Sequence, residues 1–138
     1  MKKVLVDSNI ILDIFTEDPD WFEWSAAQIE QLATSYRLVI NPIIYAEVSV
    51  RFQRIEDLEE SLPQDFFMRE PLPWEASFLA AKAYVQYKKI GGSKHSTLPD
   101  FFIGAHASIE SMSLLTRDVS RYQTYFPKLE LISPCHLN

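Results

Sequence analysis

Lys3-Val4-Leu5-Val6-Asp7-Ser8-Asn9-Ile10-Ile11-Leu12 is the stretch whose reading decides the fold. Val4-Leu5-Val6 is apolar and β-branched without polar alternation, as expected of a buried strand. It ends on an acid, Asp7. Ser8-Asn9 then leads into Ile10, Ile11 and Leu12, and Ile14 and Phe15 continue an apolar helical face. Strand, acid and helix in immediate succession begin a strand–helix–strand unit.

The rest of the chain continues the alternation. Pro19 breaks the first helix, and Asp20 can cap a second that runs to about Thr34. Leu38-Val39-Ile40 reads as a strand. Asn41-Pro42 follows as a helix start, Asn at the cap and Pro at the first helical position, and that helix runs to about Gln53. Ile55–Glu60 is a short helical piece closed by Pro63, and Phe66-Phe67-Met68 is a candidate third strand. Pro73 opens a helix from Trp74 to Lys89, where Trp74, Phe78, Ala81, Val85 and Lys88 recur at helical spacing and Gly91-Gly92 is the stop. After a polar loop to Thr97, Leu98-Pro99-Asp100 starts a helix reaching about Glu110. Leu114-Leu115-Thr116 is a strand ending at Arg117-Asp118, and Leu129–Ile132 is the last. Short strands alternating with helices imply an α/β sandwich around a mostly parallel sheet, whose sites form beyond the carboxyl ends of the strands.

The 138 residues suit one domain, 1–138, with 47% hydrophobic and 23% charged residues. No apolar run approaches the roughly 18 residues that a membrane span needs. The amino-terminal lysines and three apolar residues meet Asp7 too soon for a signal peptide. One cysteine, Cys135, excludes an internal disulfide and a Cys-based zinc site. A cytoplasmic protein without membrane association is expected. Net charge is −6, from 19 acids and 13 bases, which argues against nucleic-acid binding by bulk charge. It leaves open an enzyme that acts on nucleic acid through an acidic metal site.

Four acids stand out by position. Asp7 and Asp118 each follow a strand. Asp100 lies in the first turn of a helix that starts at the same edge. Glu47 lies among Ile43, Ile44 and Val50, which would point it inward, a costly place for an unpaired carboxylate. Carboxylates that converge repel one another unless a cation neutralises them. Oxygen donors without a Cys cluster or paired His suit Mg²⁺ or Mn²⁺ rather than zinc. Such ions activate water and stabilise charge on a phosphodiester. Singly, each Asp can equally be a turn or capping residue.

Val6-Asp7-Ser8-Asn9, Ile44-Tyr45-Ala46-Glu47, Leu98-Pro99-Asp100-Phe101-Phe102-Ile103-Gly104-Ala105-His106-Ala107 and Leu115-Thr116-Arg117-Asp118 resemble the PIN domain. More narrowly they resemble VapC toxins of bacterial type II toxin–antitoxin systems. Arg121-Tyr122 and Tyr125-Phe126-Pro127 extend the likeness, which covers nearly the whole chain. The resemblance implies a PIN-like sandwich with a five-stranded parallel sheet. It also implies a Mg²⁺-dependent ribonuclease (Mn²⁺ as the alternative ion) neutralised by a cognate VapB antitoxin. By motif, Asp7, Glu47, Asp100 and Asp118 form the acidic site, with Asp7, Asp100 and Asp118 as metal ligands. Asn9 and Thr116 match supporting polar residues, the first expected to orient Asp7 and the second Asp118. A homodimer is expected.

Basic residues near an acidic site let a polyanion approach. Lys82, Lys88, Lys89, Lys94 and His95 gather around the Gly91-Gly92 loop, and Arg117 and Arg121 lie near the acidic edge. Lys88, Lys89, Lys94, Arg117 and Arg121 are therefore candidate RNA contacts, against the plain reading of a solvated helix end. His95, His106 and His136 read as packed or surface residues rather than ligands. Asp13, Glu17, Asp18 and Asp20 read as a solvated acidic face. Trp21, Phe22 and Trp24 suit either the core or a partner interface. A phospho-acceptor receiver domain would need an acidic pair after the first strand, where Ser8-Asn9 stands instead. A catalytically silent PIN-like binding module would have lost an acid, and none is missing.

Overall fold

The computed structural model describes residues 1–91 and 97–134. Its elements are β1 (Lys2–Val6), α1 (Ser8–Phe15), α2 (Phe22–Ala33), β2 (Tyr36–Ile40), α3 (Pro42–Ser49), α4 (Ile55–Ser61), β3 (Met68–Arg69), α5 (Trp74–Lys89), α6 (Leu98–Ile109), β4 (Ser113–Leu115), α7 (Val119–Tyr125) and β5 (Leu131–Ile132).

The strands form a five-stranded, all-parallel sheet in the order β3-β2-β1-β4-β5. Val4 and Leu5 of β1 stand opposite Leu38 and Val39 on one side, and Val6 stands opposite Leu115 on the other. Helices cover both faces, so Val4, Leu5, Val6, Val39, Ile40, Leu114 and Leu115 are all buried. That double burial is why these strands are apolar runs rather than alternating ones. From β1 the chain passes to β2 and β3 on one side, then returns to β4 and β5 on the other. The crevice beyond the carboxyl ends of β1 and β4 is therefore a topological switch point, where open α/β sheets place their sites.

Asn41 caps α3 as expected, its side chain accepting from the Ile44 amide at 2.9 Å, with Pro42 in the first helical position. Several expectations shift. α3 ends at Ser49 rather than near Gln53, because Arg51 and Phe52 bond back to Val48 and Ser49 in tight turns. The entry to α2 is held by Asp18, not Asp20: the Asp18 carboxylate accepts from the Asp20 and Trp21 amides at 3.0 and 2.9 Å. Phe66 and Phe67 lie in a turn on Pro63, and the third strand is Met68–Arg69. α7, on a segment the sequence left unassigned, packs Tyr122 and Phe126 against α6.

α5 turns an alanine face inward and large apolar side chains outward. The residues at helical spacing, Trp74, Phe78 and Val85, face outward at 89%, 67% and 50% exposure. Ala76, Ala80, Ala83 and Tyr87 form the buried face instead. Both faces are apolar in composition, but the alanine face lets α5 lie closely against α6, where Tyr87 meets Phe101. No helix among the described residues is long and apolar enough to cross a membrane.

Candidate functional site

Asp7 is the cap of α1, in extended backbone at the end of β1. Only 4% exposed, it is held by neutral donors. Oδ1 accepts from the Ser8 amide at 2.8 Å, and Oδ2 accepts from the Thr116 hydroxyl at 2.7 Å and the Tyr122 hydroxyl at 3.1 Å. Burial is the dominant influence and raises its pKa above the ordinary carboxylate value, against the lowering pull of these bonds. The same burial, with the neighbouring Asp7 charge, drives the Tyr122 phenol well above its usual value, so it stays a donor.

Glu47 approaches from α3. Its Oε1 accepts from the Ser8 hydroxyl at 2.7 Å. Burial raises its pKa first, and the charges of Asp7 and Asp100 raise it further. Asp100 sits in the first turn of α6, where one oxygen accepts from the Thr97 amide at 2.8 Å. Asp118 stands between β4 and α7. The Arg121 guanidinium joins the last two, Nη1 at 3.2 Å from Asp100 Oδ1 and Nη2 at 2.9 Å from Asp118 Oδ2. The four acids, from four separate segments, thus lie at one sheet edge within electrostatic reach of their neighbours.

The supporting residues act differently from the expectation. Thr116 donates to Asp7, not to the Asp118 carboxylate, and its oxygen accepts from the Asp118 amide at 3.0 Å. Asn9 bonds the 116–117 segment, at 3.4 Å to Thr116 Oγ1 and 3.4 Å to the Arg117 amide, instead of orienting Asp7. Ser8 and Tyr122 were not foreseen as parts of the acidic cluster, and Arg121, expected near the acidic edge as an RNA contact, is paired with two of the acids instead. Ser8 lay within the Asp7-Ser8-Asn9 run, and its hydroxyl beside two acids was the available signal.

The candidate RNA contacts divide. Arg117 turns away from solvent onto Asp13, and Arg121 is engaged by Asp100 and Asp118. Lys88 lies over the Tyr84 ring, and Lys82 over Phe78. Lys89 is exposed at the end of α5, whereas Lys94, His95, His136 and Cys135 lie outside the described residues. Asp13 is not part of a solvated face: it is 3% exposed and paired. His106 is fully buried, as a packed residue, against Asn41.

The carboxylate oxygens of the acidic edge are the donor chemistry of a hard divalent cation. Among the described residues, no three acids stand close enough to share one ion in this arrangement. The guanidinium lies between two of them.

Residues 4–126 match the PIN domain family. The chain belongs to it. No curated protein is significantly similar to this PIN domain in sequence. Among solved structures it is similar to VapBC2 of Rickettsia felis bound to a DNA fragment from their promoter (TM-score 0.74, 18% identity, 95% of this chain and 98% of that one). It is also similar to VapBC-1 of nontypeable Haemophilus influenzae (TM-score 0.72, 23% identity, 95% and 97%). A third is FitAcB of Neisseria gonorrhoeae (TM-score 0.73, 19% identity, 96% and 99%). These likenesses show a shared fold, and the all-parallel five-stranded sheet expected of a PIN-like sandwich is present.

Proposed function

We propose that this PIN domain is the toxin of a type II toxin–antitoxin pair: a metal-dependent endoribonuclease held in check by a cognate antitoxin. The observation that carries the reading is the meeting of Asp7, Glu47, Asp100 and Asp118 at the switch-point edge. Similarity to VapBC and FitAB assemblies supports the antitoxin partner.

Asp7, Asp100 and Asp118 would hold Mg²⁺ or Mn²⁺. When bound, the ion supplies positive charge against the phosphodiester and acidifies an attacking water. Thr116 and Tyr122 fix the Asp7 carboxylate by donating to one oxygen, so it need not reorganise. Ser8 fixes Oε1 of Glu47, whose role is to orient the attacking water. Its raised pKa brings it closer to that of an effective proton acceptor. Lys88 and Lys89 are assigned to RNA phosphates, together with Lys94. Arg117 is left out because its guanidinium is committed to Asp13. Trp74, Phe78 and Val85 form an outward apolar stripe on α5 that a second copy of the chain would cover in a homodimer. Light scattering of Phe78→Glu tests this: a wild-type dimer should become a monomer.

The test of function is cleavage of labelled RNA by purified protein with Mg²⁺ or Mn²⁺, against EDTA and Asp7→Ala. Hydrolysis by water should leave 5′-phosphate and 3′-hydroxyl ends. Cleavage that survives both EDTA and Asp7→Ala refutes the reading. The engagement of Asp100 and Asp118 by Arg121 favours a second reading, a silent PIN-like binding module. That reading expects RNA binding without cleavage at any metal concentration.

A further inference from the structure

Arg121 occupies an unusual place for a cation in a site built of acids. It lies in the first turn of α7, three residues after Asp118, and reaches across to Asp100 on α6. Each terminal nitrogen takes a different carboxylate, so the planar fork sits between them instead of capping one. The charges of Asp100, Asp118 and Asp7 all favour its protonated form and outweigh the burial that opposes it. It is half-buried and is the residue that keeps Asp100 and Asp118 from repelling one another across the cleft.

A divalent cation would have to draw the same oxygens onto one centre. The guanidinium holds them on either side of itself. We propose that Arg121 is a built-in counter-ion that competes with the divalent metal for Asp100 and Asp118. It keeps the metal-free site neutralised and leaves the cleft when metal binds. The displaced guanidinium then stands at the rim, where it can meet an incoming RNA phosphate. Metal binding and substrate binding are thereby linked through one side chain: the metal releases the cation that the polyanion needs. This inference rests on the divalent-metal reading of the acidic site.

Calorimetric titration with Mn²⁺ tests it on wild type, Arg121→Gln, Arg121→Lys and Asp118→Asn, each first checked for folding by circular dichroism. Removal of the competing charge should tighten Mn²⁺ binding by about tenfold or more in Arg121→Gln, a difference of about 1.4 kcal/mol. Arg121→Lys keeps the charge but loses the two-carboxylate fork, and should fall between. Asp118→Asn should weaken binding. Equal or weaker Mn²⁺ binding by Arg121→Gln, with binding still dependent on Asp118, overturns the competition while sparing the metal reading. If neither wild type nor Arg121→Gln binds Mn²⁺ at millimolar concentration, the metal reading falls and this inference with it. A second measurement needs no variant of Arg121 to fold. The Arg121 side-chain nitrogen resonances of wild type, assigned by through-bond correlation to the Arg121 backbone, should move on saturation with Mg²⁺. If they stay fixed while the site is saturated, Arg121 does not yield to the metal.

Discussion

Arg117 and Asp13, 104 residues apart, form a bidentate ion pair, with Nε at 2.8 Å from one carboxylate oxygen and Nη2 at 2.9 Å from the other. Ser25 donates to the same carboxylate at 2.7 Å, and the guanidinium lies over the Trp21 ring. Because Arg117 stands between Thr116 and Asp118, the pair pins the turn that carries both of them to α1 and α2. Loss of Arg117 leaves the Asp13 carboxylate, only 3% exposed, without its cation.

Arg117→Ala should therefore cost about 3 kcal/mol of stability, and Asp13→Ala less, because the guanidinium it leaves is partly exposed. Arg117→Lys should recover only part of what Arg117→Ala loses, because a point charge cannot take both oxygens. Urea unfolding of the two single variants and the double should yield a large coupling term. A coupling near zero would mean that the pair does not hold the turn.

Glu47→Gln should raise the melting temperature in EDTA at neutral pH and lower RNA cleavage by about a hundredfold or more. Glutamine keeps an oxygen for the Ser8 hydroxyl and removes a charge that burial, Asp7 and Asp100 disfavour. The folded pKa of Glu47 is raised, so the unfolded chain releases this proton first. Its contribution to stability declines as pH rises from about 4.5 to the folded value, and the variant should lack that decline. Asp7→Asn is a poorer test, since both oxygens of Asp7 accept hydrogen bonds and an amide would turn a donor toward a donor. A less stable Glu47→Gln protein would show that Glu47 is a structural acceptor only.

Gly104→Ala should destabilise the fold by about 1–3 kcal/mol through overpacking. A methyl there would meet the Phe126 ring at 2.5 Å and Tyr122 at 3.0 Å, and both are buried. Because Tyr122 donates to Asp7, the displacement should also reduce cleavage per folded molecule. A variant as active and stable as wild type would mean that α7 shifts as a unit without disturbing Asp7.

The strand–acid–helix opening, the Asn41-Pro42 cap and the positions of the four acids were legible because each depends on neighbours within a few residues. α7 was not, because Val-Ser-Arg-Tyr-Gln-Thr-Tyr has little intrinsic helix preference and is fixed by burial of Tyr122. Asp13 looked like one of a row of surface acids because its partner lies far along the chain. The inward face of α5 was obscured by alanines, which carry no strong pattern yet permit the closest approach. The acidic residues and Arg121 beside them could be named from the sequence, but the pairing of Arg121 with Asp100 and Asp118 depends on a helix it did not reveal.

His106 ties stability at mildly acid pH to the helix that carries Glu47. Asn41 uses its oxygen to cap α3, so its amide nitrogen is what faces His106 Nδ1 at 3.0 Å. Nδ1 must then accept, which leaves the proton of the neutral ring on Nε2. That atom points toward Glu70 at 3.7 Å, too far for a hydrogen bond. Protonation of Nδ1 would set donor against donor at the α3 cap. Burial lowers the folded pKa of His106, against the pull of Glu70 and Glu110, while Lys3 lowers it further. Below about pH 6.5 the unfolded chain therefore binds a proton that the fold refuses. Stability present above that pH should fall as pH drops toward the depressed folded value, with a slope approaching about 1.4 kcal/mol per pH unit. His106→Gln keeps an acceptor for Asn41 and cannot titrate. Its urea midpoint, measured from pH 7.5 to 5, should lack the part of the decline that wild type shows. Parallel curves for the two proteins would assign the acid sensitivity to the carboxylates alone.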